Sequence, residues 1–125
     1  MGDMARETSD SKNRYVYLLQ SRAHPAWFKI GFSSVPDERA AELNRDISKL
    51  DWVVLDLMWC PDEKTARDLE KTLHLVFDHR RVVGKHREWF VLEAADVHLI
   101  RTLFQTARDR DVMRWALTPL DNSSL

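Results

Sequence analysis

A chain of 125 residues, 44% apolar and carrying five Trp and five Phe, can build one packed core and is too short for two. Its formal net charge of −1 leaves any affinity for nucleic acid to a local patch rather than to the whole surface. Cys60 stands alone, which excludes an intramolecular disulfide and a multi-cysteine zinc site, and no stretch nears the roughly 18 consecutive apolar residues of a membrane span. With no apolar secretory core near the N-terminus, a cytoplasmic location is expected.

In chain order, residues 1–13 are polar, mixed in charge and aperiodic, and read as a disordered tail. Order is expected from Arg14, with a strand through Tyr15, Val16, Tyr17, Leu18 and Leu19. A turn-like stretch from Ser21 to Pro25 leads to a second strand, Trp27 to Phe32, making a hairpin with a loop of about six to seven residues. Pro36, followed by Asp37 and Glu38, suits the first turn of a helix whose inner stripe is Ala40, Leu43 and Ile47. Trp52 to Trp59 is the most hydrophobic segment and reads as the central strand. Pro61-Asp62 then caps a second helix with the stripe Leu69, Leu73, Val76 and Phe77. After a basic loop around Gly84, Glu88 to Val91 reads as a short edge strand anchored by Trp89 or Phe90. Ala94 to Leu117 is a closing helix with Val97, Ile100, Phe104 and Ala107 inward, and residues 119–125 are a tail. The order β-β-α-β-α-β-α predicts a small α/β sandwich, one domain over residues 14–118, with a mostly antiparallel three-stranded sheet plus the short edge strand, flanked by helices.

Few residues in this plan point to chemistry. Tyr15 and Tyr17 are two apart on a strand and project from one face. Lys29 follows Tyr17 by 12 residues, and the paired strand can bring its ammonium toward the phenol, which would lower the phenol pKa and suit it to general-base work. Arg39 follows Lys29 by 10, at the edge of the helix stripe, where it can grip a phosphate or simply pair with Glu38 or Glu42. Glu70 borders the second helix's apolar face with His74 one turn on; the carboxylate can hold one Mg2+, and the histidine can serve as its neighbour or as a half-buried helix residue. His79, Arg80, Arg81, Lys85, His86 and Arg87 place four formal positive charges in nine residues, the natural phosphate-backbone contact of the chain or else a solvated face.

Taken together, Tyr15-Val16-Tyr17, Lys29-Ile30-Gly31, Arg39, Leu69-Glu70-Lys71-Thr72-Leu73-His74 and Glu88-Trp89-Phe90 resemble the GIY-YIG nuclease superfamily. More narrowly they look like its phage-type DNA-binding branch, in which the second motif reads KIG. The resemblance runs from about Arg14 to Leu92 and rests on the order and spacing of short motifs. It implies DNA as partner and Mg2+- or Mn2+-dependent hydrolysis of a phosphodiester. It further implies Tyr17 as general base, Lys29 assisting Tyr17 or the phosphate, Gly31 permitting close backbone approach, Arg39 neutralising charge on the phosphate, and Glu70 as the metal ligand. Tyr15 replaces the motif's first glycine, Lys29 its second tyrosine, and Leu43 a helix histidine whose place His74 can take. The expected function is a metal-dependent DNA endonuclease, with Arg80, Arg81, Lys85 and Arg87 on nucleic acid; a catalytically inactive DNA-binding or protein-interaction module of the same fold is the alternative. Oligomeric state stays open, a homodimer included.

Overall fold

In the computed structural model, residues 14–45, 49–82, 84 and 88–123 are described, residues 111–123 as backbone. The expected N-terminal tail, Ile47, and Lys85 and Arg87 of the basic loop lie outside them. Four strands, β1 (Arg14–Ser21), β2 (Trp27–Ser33), β3 (Trp52–Cys60) and β4 (Trp89–Val91), form one antiparallel sheet in the order β3-β1-β2-β4. Three helices flank it: α1 (Pro36–Asn44), α2 (Glu63–Val76) and α3 (Ala94–Ser123), with a short 3-10 turn at Asp78–Arg80. The expected α/β sandwich is therefore the observed one.

The β1–β2 register sets the two faces. Tyr17 pairs with Gly31 and Leu19 with Lys29, so these four share a face; Val16, Leu18, Phe28 and Ile30 share the other. On the first face Tyr17 and Leu19 pack with Ala40 of α1, Leu50 and Trp52. On the second, Val16, Leu18, Phe28 and Ile30 pack with Ala66, Leu73 and Phe77 and with Ile100 and Phe104 of α3. Every residue from Val16 to Leu19 is buried, because β1 has a strand on each side and helices on both faces.

That burial corrects one expectation. β3 is an edge strand and β1 a central one; β3 looks central in sequence because α1 and α3 cover its two faces. Side chains meet its backbone in place of a neighbour strand. Asn44 accepts from the Trp52 N–H (2.6 Å) and donates to the Trp52 carbonyl (2.8 Å), while Arg108 donates to the Leu57 carbonyl (2.9 Å).

Local rules account for the helix starts. Pro36 occupies the first turn of α1, with Asp37 and Glu38 at its positive end, and the Asp62 carboxylate accepts from Thr65 N–H (2.7 Å) to cap α2. Three details depart from expectation. The hairpin loop is shorter, Arg22 to Ala26, because β1 extends to Ser21. Val76 is exposed, since the buried line of α2 runs through Ala66, Leu73 and Phe77 and position 76 falls to its side. And α3 continues through Pro119 to Ser123: a proline forfeits one helical hydrogen bond without forbidding helix on either side of it.

Candidate active site

The short β4 leaves part of β2 without a strand partner, and the candidate site forms there. β4 pairs with Trp27, Phe28 and Lys29 only. Beyond them, the Ile30 N–H donates to the Glu88 carbonyl (3.1 Å), His74 Nε2 meets the Ile30 carbonyl (2.8 Å), and the Phe32 backbone hydrogen-bonds the Glu70 carboxylate. Glu70 and His74 stand four apart on α2, so both reach the same sheet edge. Helix side chains thus do what a fifth strand would do, and they leave a carboxylate and an imidazole at the opening.

Tyr17 approaches from the α1 face. Its ring lies across the β2 backbone at Gly31, where a Cβ would come within 2.6 Å of the ring Cζ and closer still to the hydroxyl. The Arg39 guanidinium lies beside that hydroxyl and pairs with Glu42 (3.1 Å); against the effect of burial, these two neighbours hold the Arg39 proton more tightly than usual. Of the two sequence readings of Arg39, the pairing with Glu42 is the one present. Tyr15 lies one pleat away, half-buried opposite Ser33.

The electrostatics depart from expectation at Tyr17. Burial, and then the Glu88 charge, push its pKa up to about 12, and the neighbouring Arg39 only partly offsets them. The anticipated lowering by Lys29 does not arise, because the Lys29 ammonium is held by the Glu88 carboxylate at 2.5 Å. Lys29 is 4% exposed, and its cross-strand partner on β1 is Leu19 rather than Tyr17.

Glu70 is half-buried. Burial, then Glu88, push its pKa up to about 7, opposed by Lys29 and by the Phe32 hydrogen bond. Burial moves His74 the other way, below the usual imidazole value, with Arg81 and Lys29 adding to that and the Ile30 bond opposing it. Its ring packs on Phe90 at 5.2 Å, and the Arg81 guanidinium sits 5.1 Å from the same Phe90 ring.

In front of Glu70 opens a groove of about 520 Å3, lined by Arg67, Glu70, Lys71, His74, Leu75 and Arg81. Of the basic stretch, Arg81 reaches this groove, while Arg80 is turned to the start of α3 and pairs with Asp96 (3.1 Å) and Glu93 (3.3 Å). Sequence reasoning missed the cations Arg67 and Lys71, although both lie within one turn of Glu70 on a helix and could have been read from that spacing. It also read Glu88 as the first residue of the edge strand, whereas β4 begins at Trp89. No local signal marks Glu88, since its neighbours Lys29, Tyr17 and Glu70 come from distant parts of the chain.

The residues fit a single-carboxylate cation site. Among the described residues no group of three or more His, Cys, Asp or Glu gathers as a closed metal cage. Glu70, however, has the Glu88 charge near it and faces an open groove, which suits a cation that takes one protein carboxylate and keeps most of its waters.

The T5orf172 domain matches residues 14–105, from the first strand into α3. The chain belongs to the T5orf172 domain family. This family is phage-associated, nuclease-like and DNA-binding, so the groove and its cations belong to a domain type that meets DNA. The matched span holds the whole sheet, α1, α2 and each residue of the candidate site. Comparison with curated proteins and with solved structures gave no match. Among the described residues, no helix is long and apolar enough to cross a membrane.

Proposed function

We propose that this T5orf172 domain is a metal-dependent DNA endonuclease of the GIY-YIG type that hydrolyses phosphodiester bonds. One observation carries the reading: the Tyr17 hydroxyl, beside Arg39, lies against Gly31 while the half-buried Glu70 carboxylate reaches Phe32 on the same unpaired stretch of β2, and the charge of Glu88 acts on both. A purely structural tyrosine and a purely solvated helix glutamate would have no reason to share that neighbour.

In this reading Arg39 holds a phosphate oxygen while staying beside the Tyr17 hydroxyl, and stabilises the charge that builds as the phosphoryl group is attacked. Tyr17 enters as a neutral phenol, releases its proton to solvent as its surroundings become more positive, and the phenolate then takes a proton from the attacking water; Arg39 already favours the phenolate. Lys29 adds a second fixed positive charge at the edge of the site. His74, held neutral by burial, keeps the β2 edge and the α2 turn in register. Arg67, Lys71 and Arg81 line the path of the flanking backbone. Lys85 and Arg87, which lie outside the described residues, are further phosphate contacts by their sequence alone. Glu70 is the residue that would hold Mg2+ or Mn2+. When bound, such an ion would supply neutralisation of phosphate charge and would offset the carboxylate charge that, after burial, raises the Tyr17 pKa.

The high Tyr17 pKa also favours a second reading, a DNA-binding module of the same fold without cleavage. One experiment separates the two. The chain and a Glu70→Ala variant are incubated with single- and double-stranded DNA, with Mg2+ or with EDTA. Metal-dependent cleavage that Glu70→Ala abolishes supports the endonuclease. Salt-sensitive binding without cleavage, equal in the two proteins, overturns it for the binding module.

A further inference from the structure

Glu88 stands in the turn before β4, and the roles considered so far leave it as a bystander. Its position says otherwise. Its backbone carbonyl accepts from the Ile30 N–H (3.1 Å), which ties the residue to the point where β4 stops pairing with β2. Its side chain, about one-third exposed, reaches back to the Lys29 ammonium at 2.5 Å. The next residue, Trp89, is the cross-strand partner of Lys29, so backbone register and ion pair fix the same contact twice.

Lys29 needs such a partner. It is one of two buried polar side chains among the described residues, and its four-carbon stem has rotamer freedom that a face of Tyr17, Leu19 and Trp89 does not restrict by itself. A buried ammonium without a counter-ion would turn outward or distort the sheet edge. The carboxylate gives the stem one end point, from which the ammonium charge reaches Glu70.

We propose that Glu88 is the positioning residue of the site, fixing the Lys29 ammonium where the pairing of β2 with β4 ends so that its charge bears on the phosphoryl group in the attack step. This rests on the endonuclease reading above. Glu88 acts through Lys29 and touches neither substrate nor the reacting atoms. Because the role is one of placement, its removal affects turnover more than DNA affinity, which the groove cations carry.

The test uses the full chain as wild type, Glu88→Gln, Glu88→Asp, Lys29→Met and the double variant Lys29→Met/Glu88→Gln. Steady-state cleavage of DNA with Mg2+ is expected to show a kcat about tenfold or more lower for Glu88→Gln with KM little changed. Glu88→Asp should recover part of that loss, and the double variant should be no slower than Lys29→Met alone. Wild-type kcat in Glu88→Gln, or a double variant whose loss is the product of the single losses, overturns the proposal.

A second measurement does not need activity. With 15N-labelled lysine, the Lys29 Nζ protons should exchange slowly with water in the wild type and in Glu88→Asp, and rapidly in Lys29-containing Glu88→Gln. Rapid exchange in the wild type overturns the placement. If the wild type cleaves no DNA, the endonuclease reading falls by itself, and the exchange measurement alone decides whether Glu88 holds Lys29. Thermal unfolding of each variant identifies any that does not fold, in which case Glu88→Asp against wild type decides.

Discussion

The Tyr17 ring lies flat enough against the backbone of its cross-strand partner Gly31 that no side chain can occupy position 31: a Cβ there would stand 2.6 Å from the ring Cζ. The requirement is for space, since the backbone of β2 there is ordinary strand. Gly31→Ala should therefore push the ring out of place, cost about 1–3 kcal/mol by overpacking a buried site, and move the Tyr17 hydroxyl away from Arg39. Chemical denaturation measures the first effect and cleavage the second. A variant with unchanged stability would show that the ring moves aside freely.

Tyr17 carries the expected pH dependence of the reaction. With its pKa pushed up to about 12 by burial and Glu88, the fraction present as phenolate grows about tenfold per pH unit below that value. The cleavage rate should rise with pH through the range 7 to 9, and Tyr17→Phe should abolish the rise along with most of the activity. Loss of the hydroxyl's contact with Arg39 costs only about 1 kcal/mol in stability. A flat pH–rate profile in the wild type would remove Tyr17 as the base.

Glu70 predicts a stability effect of unusual sign. Its folded-state pKa is raised from 4.5 to about 7, so between those values the folded chain holds a proton that the unfolded chain has released. Stability from this group is fully present below about 4.5 and is lost as pH rises toward and through about 7. Glu70→Gln, which keeps the neutral shape, should flatten that decline when thermal unfolding is followed from pH 4.5 to 7.5. Mg2+ should raise the melting temperature of the wild type at pH 7.5 and leave Glu70→Gln unchanged.

Far from the site, Asp56 fastens α3 to the edge strand. Its side chain, 10% exposed, faces Arg108 at 3.0 Å and Arg101 at 3.3 Å, and Arg108 also donates to the Leu57 carbonyl. Asp56→Ala leaves two arginines facing each other without their shared anion, and should lower stability by about 1–3 kcal/mol without changing KM for DNA. Denaturant unfolding beside a cleavage assay checks both halves.

Much of the fold was legible because its causes are local. A β-branched and aromatic run placed β1, and Pro36 and Asp62 started α1 and α2 where capping chemistry requires. The rank of the strands was not legible. β3 is as apolar as a central strand because helices cover both its faces, and side chains such as Asn44 and Arg108 meet its edge, a fact that only the assembled layers contain. The same holds for Val76, whose exposure depends on which side of α2 the sheet lies.

For the candidate site, the sequence by itself determined which side chains are available: a tyrosine, a lysine, an arginine and a glutamate at spacings that a hairpin and two helices can bring together, all within the span that the T5orf172 domain matches. The tertiary structure alone decided how their charges act. Lys29 answers to Glu88 rather than to Tyr17, Tyr17 is driven up instead of down, and Glu70 titrates near neutrality. The physical reason is that a pKa follows from burial and from the charges that surround a group in space, and here the decisive one stands 59 residues beyond its lysine partner.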